Sequence, residues 1–109
     1  MNKVRRKTLE SIQEKLKGFR SETDFLGGVL EEFREDIESV MEDEEMAYDN
    51  LPESLQDAER GENMQSAIDA MGNAIDSVDE AISALENAID EIDGLLNEAS
   101  DNLQEAIDI

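Results

Sequence analysis

A chain of 109 residues with 30 acidic side chains, nine basic ones and no histidine carries a formal charge of -21, and its length is that of one domain at most. The absence of cysteine excludes disulfides and thiolate chemistry, and the absence of histidine removes the commonest transition-metal ligand. With no tryptophan and aromatics at 4%, the chain lacks the bulky side chains of a globular core and can bury at most a narrow seam between helices.

Charge is unevenly placed. Residues 1–20 hold seven cations against Glu10 and Glu14, a balance of +5; the remaining residues hold Arg34 and Arg60 against 28 carboxylates, a balance of -26. An acidic bias of the whole proteome would remove basic residues everywhere, whereas here they gather at one end. The basic start is followed by no apolar run, so it is not expected to be a signal peptide, and no stretch is apolar enough for a membrane span. High charge with low hydrophobicity is also the mark of disorder, but the regular apolar spacing argues against it.

The first element is expected over residues 3–17, a basic helix. Gly18 followed by Ser21-Glu22-Thr23-Asp24 reads as a helix end and a new N-cap, so a break or kink is expected near 18–21. A second helix over 22–48 then continues one stripe: Ile12, Leu16, Phe19, Thr23, Leu26, Leu30, Phe33, Ile37, Val40 and Ala47. Gly27-Gly28 should soften it. A connector is expected over 49–62, because Pro52 cannot continue a helix and Leu51 before it avoids the helical region.

The last helix, 63–107, carries a heptad. Ile68, Ile75, Ile82, Ile89, Leu96 and Leu103 recur every seven residues, with Met64, Met71, Val78, Leu85, Ile92, Ala99 and Ala106 between them. Such an a/d seam marks a left-handed coiled coil. Ala67, Ala74, Ala81 and Ala88 flank it, and Gly72 and Gly94 lie outside it. Two stripes joined by a short connector predict an all-α fold, a long antiparallel helical hairpin. Phe25, Val29, Met41 and the alanine row widen its apolar face, which predicts a homodimer forming a helical bundle.

Carboxylates are the only reactive groups in quantity. Glu-x-x-His is impossible without histidine, the calcium loop has no match, and no glycine-rich phosphate loop is present. A catalytic Glu needs burial to raise its pKa, and every acidic residue falls on an expected outer face or loop. The chain is therefore expected to be no enzyme and to use no metal or cofactor.

The uniform sign of the charge is the informative feature. Like charges at i and i+4 destabilise helices by a few tenths of a kcal/mol per pair, and Glu31–Glu35, Glu38–Glu42, Asp76–Glu80 and Glu86–Asp90 are all such pairs. A rod of about 65 Å, at 1.5 Å per residue, would carry about one charge per 2.5 Å, against about one per 1.7 Å for duplex DNA. The expectation is a DNA mimic that inhibits a host protein with a basic nucleic-acid-binding groove. Its contact carboxylates are Glu31, Glu35, Glu38, Glu42, Glu45, Asp69, Asp76, Asp79, Glu80, Glu86, Asp90 and Asp93. The alternative is a structural or adaptor coiled coil that docks on a partner helix, recognised through Leu51, Pro52, Glu53 and Leu55, with acidity serving solubility. Seven cations beside this rod are too few for direct DNA binding.

The run Ala47-Tyr48-Asp49-Asn50-Leu51-Pro52-Glu53-Ser54-Leu55-Gln56, with Glu59-Arg60-Gly61-Glu62 and the Ala-Ile-Asp heptads, resembles a group of small acidic bacteriophage and prophage proteins. The resemblance covers residues 30–108, and Asn-Leu-Pro-Glu-Ser-Leu-Gln is its specific part. It implies a phage origin and the cytoplasm of a bacterial host, and it carries no functional residues. The basic start and Gly27-Gly28 depart from it.

Overall fold

The computed structural model describes all residues, Met1–Ile109. The chain is 91% helical and has no strand, so its charge does not leave it an unfolded polyelectrolyte. Four helices follow in order: α1 (Lys3–Lys17), α2 (Phe19–Asp49), α3 (Glu53–Gln56) and α4 (Glu59–Ile107). None is long and apolar enough to cross a membrane.

Helix α1 begins at Asn2, whose side chain accepts from the Arg5 amide at 2.8 Å and satisfies one of the free first-turn donors. Lys15 and Lys17 lie in its last turn, where cations complement the helix dipole. The break is shorter than the sequence suggests. Gly18 alone interrupts the helix, with φ −72 and ψ −15, and α2 starts at Phe19 rather than at residue 22. Thr23 does not cap anything. It is buried, and its hydroxyl donates to the Arg20 carbonyl of its own turn at 2.8 Å. A residue on the covered stripe has no water to bond, so its hydroxyl turns back on the backbone.

The connector also differs from the sequence-based expectation. Pro52 precedes the single turn α3, and the Leu55 and Gln56 amides donate to its carbonyl at 2.8 and 3.1 Å. Helix α4 then starts at Glu59, four residues earlier than residue 63, because Ala58 accepts from the Glu62 amide at 3.0 Å and Arg60-Gly61 continue the helix. Glycine costs a helix about 1 kcal/mol relative to alanine, too little to end one that is already packed.

The chain divides into two compact units. The first comprises Met1–Gly27 and Ala84–Ile109. Its covered residues on α1 and the start of α2 include Arg6, Leu9, Gln13, Leu16, Phe19 and Thr23; on α4 they include Ile89, Leu96, Leu103 and Ile107. The second comprises Gly28–Ser83. There Leu30, Ile37, Met41 and Tyr48 are covered on α2, with Met64, Ile68, Met71, Ile75, Val78 and Ile82 on α4.

The α4 seam is thus the one expected from its heptad, apart from Ile92, which is exposed. The first-half stripe is covered only in part, at Leu16, Phe19, Thr23, Leu30 and Ile37. Ile12, Leu26, Phe33, Val40 and Ala47 all stay exposed, while Val29 and Met41, assigned to the outer margin, are partly covered. Two heptad rows compete for the inner face of α2. In the second unit the covered Leu30 and Ile37 are joined by the row four residues later, Arg34, Met41 and Tyr48, instead of Phe33, Val40 and Ala47; in the first unit Phe19 of the earlier row is covered and Arg20 of the later row is exposed. Arg20 and Arg34 stand in that later row and pair with Asp93 and Asp79 of α4.

Candidate interaction surfaces

Ion pairs and hydrogen bonds define one side of each unit. In the first, Arg6 Nε donates to the Ile107 carbonyl at 2.9 Å, and Gln13 Nε2 to the Ser100 carbonyl at 3.1 Å. Arg20 meets Asp93 at 2.5 Å. Partners descend α4 in steps of seven as these side chains ascend in steps of seven. In the second unit, Arg34 Nε meets Asp79 Oδ1 at 2.6 Å, and its Nη1 meets Glu38 at 2.8 Å on its own helix. The guanidinium pKa of Arg34 is raised above the ordinary value by the hydrogen bond and charge of Asp79, then by Glu38. That of Arg20 is raised likewise by Asp93, with smaller help from Asp24 and Asp90.

These pairs divide the twelve carboxylates singled out from the sequence. Glu38, Asp79 and Asp93 are partly covered and bound to arginines of their own chain. They are spoken for internally. The other nine are exposed and form no ion pair: Glu31, Glu35, Glu42, Glu45, Asp69, Asp76 and Glu80 in the second unit, and Glu86 and Asp90 in the first. Seven of the nine therefore fall within Gly28–Ser83, where 18 carboxylates face only Arg34 and Arg60. Helix α2 has no basic residue in its last turn, and Glu45 and Asp49 stand at that end, where the helix dipole is already negative.

Of the connector residues, Pro52, Glu53 and Leu55 are exposed and Leu51 is partly covered. Gln56, which the sequence did not single out, organises this end. Its side-chain amide donates to the carbonyls of Tyr48 and Leu51 at 3.1 and 3.2 Å; the Tyr48 carbonyl also accepts from the Leu51 amide at 3.0 Å, whereas Gln56 gives the Leu51 carbonyl its partner. The arginine row was missed too, although a signal existed: Arg6, Gln13, Arg20 and Arg34 are spaced by seven or fourteen residues, and Arg34 is one of only two cations after residue 20. No cluster of three or more acidic side chains converges to hold a metal ion. What the surfaces offer chemically is dense, solvated negative charge on α2 and α4 and an exposed apolar connector tip.

The chain matches no known protein family, and no curated protein or solved structure is significantly similar to it.

Proposed function

We propose that this chain is an antiparallel helical hairpin that acts by binding, as an acidic DNA mimic that occupies the basic groove of a nucleic-acid-binding protein. The observation that carries this reading is the set of nine exposed, unpaired carboxylates on α2 and α4. Fold stability does not call for them. Each like-charge i,i+4 neighbour costs a few tenths of a kcal/mol, and Asp49 at the end of α2 works against the helix dipole as well. Charge kept at a cost to folding is explained by a partner of opposite sign, and a Lys/Arg groove built for phosphates is the densest such surface. The partner class follows from the charge; a host defence nuclease or a DNA-bound regulator in a bacterial cytoplasm fits it.

The test is capture of partners from a bacterial lysate with duplex DNA as competitor. DNA should displace the partner, and affinity should fall steeply with salt. Changing Asp76, Glu80, Glu86 and Asp90 together to Asn or Gln should weaken binding by about a hundredfold or more, as loss of several phosphate-like contacts would. A partner held equally well at low and at half-molar salt would sink the mimic.

The exposed Pro52, Glu53 and Leu55 favour a second reading, an adaptor recognised at the connector tip. Changing Glu53 to Gln and Leu55 to Ser would then abolish binding that DNA does not compete.

A further inference from the structure

The second unit, taken by itself, has two unlike sides. One carries the Arg34–Asp79 pair. On α2, the row containing Arg34, Met41 and Tyr48 lies four residues after the covered Leu30 and Ile37, and the row containing Phe33, Val40 and Ala47 lies four residues before the corresponding positions. On a 3.5-residue repeat these rows stand about 50° to either side of the covered one. Phe33 and Val40 are therefore on the side away from the ion pair, and they are 53% and 58% exposed.

Helix α4 repeats the division. Asp79 follows the covered Ile75 by four residues, whereas Ala67, Ala74 and Ala81 each precede a seam isoleucine by one and fall on the other side. Ala70 and Ser77 adjoin them, and all five are exposed. In a unit with 18 carboxylates this strip holds none; Asp69, Asp76, Asp79 and Glu80 all stand in other rows. Thus one side of the unit is an apolar face with large residues on α2 and small ones on α4.

We infer that a second copy of this chain covers this face, with Phe33 and Val40 of one copy seated on the Ala67–Ala81 strip of the other. Each copy supplies both the knobs and the holes, so the contact is reciprocal, as a two-fold interface requires. Charge selects the same surface. Two chains at -21 repel along most faces. Here Asp36 and Asp43, which flank the knobs, would meet alanine and serine instead of carboxylates. A basic foreign helix would have no need of an uncharged strip and would be drawn to the acidic rows. The inference does not depend on the mimic reading, because self-association is measured with no partner present.

The experiment is sedimentation equilibrium on the full chain across a salt series. A dimer of the 12.2 kDa chain is expected, tightening as salt screens the repulsion between copies. Phe33→Asp with Val40→Asp should weaken it by at least about tenfold, and Ala74→Glu, on the other helix, by a similar factor. Ser66→Asp adds the same charge in another row and should leave association nearly unchanged. Helicity by circular dichroism should persist in every variant, since these residues are exposed in the single chain. A chain that is monomeric at all concentrations and salts overturns the inference. So does a dimer that loosens with salt, or one that Ala74→Glu and the Phe33/Val40 change weaken no more than Ser66→Asp does.

Discussion

Arg34 binds two carboxylates at once: Asp79 on α4 at 2.6 Å and Glu38 on its own helix at 2.8 Å. It is the only cation of the second unit besides Arg60, so it is also where that unit's self-repulsion is most relieved. Arg34→Gln should lower the melting temperature by a few degrees, more than Arg20→Gln does, because the Arg20 side chain is 56% exposed against 34% for Arg34. The deficit should shrink in high salt. An unchanged melting temperature would show that the pair is only a surface contact.

The pH dependence of these pairs follows from the raised arginine values. A cation whose folded pKa lies above its unfolded one contributes fully below the unfolded value and loses the contribution as pH rises through the folded one. The arginines therefore keep their charge and their share of stability through the neutral range, and alkaline titration alone removes them. Net charge behaves differently. Lowering the pH from neutrality toward the isoelectric value of about 4.1 discharges the chain as a whole, so the melting temperature should first rise. Added salt should raise it too, because screening acts over about 8–10 Å at moderate ionic strength. A melting temperature that falls with salt would mean that attraction, not repulsion, dominates the folded state.

Two glycines should respond oppositely to alanine. A Cβ on Gly27 meets open space within α2, so Gly27→Ala should stabilise the chain by up to about 1 kcal/mol through helix propensity. Gly61 is buried, and its Cβ would lie 2.6 Å from the Cα of Gln56. Gly61→Ala should cost about 1–3 kcal/mol, the usual range for overpacking. Urea unfolding reads both; equal effects of one sign would contradict the close approach at Gly61.

Gln56 and Ile75 test what holds the second unit. Gln56→Ala leaves the Leu51 carbonyl without its donor, while the Tyr48 carbonyl keeps the Leu51 amide, and should cost about 1 kcal/mol. Ile75 is 7% exposed, among the most covered apolar residues of the chain, and Ile75→Ala should cost about 2–4 kcal/mol. A smaller loss at Ile75 than at Gln56 would mean that the seam contributes less than the connector.

The helical class and the α4 seam are legible in the residues alone. Isoleucine and leucine every seven residues leave α4 one apolar face, and Ile75, Ile89 and their row are covered accordingly. The connector's place is legible too, since Pro52 permits no continuous helix there. Which face of α2 turns inward is not. Two rows, one with Phe33 and Val40 and one with Arg34 and Met41, flank the same covered stripe, and hydrophobicity alone favours the first. In the tertiary structure of the second unit the second row meets α4, with Arg34 paired to Asp79 across the seam. Periodicity within one helix records which residues are apolar; which of them meet another helix depends on partners far along the chain. That placement sets Glu38, Asp79 and Asp93 apart from the nine unpaired carboxylates and leaves Phe33 and Val40 in solvent.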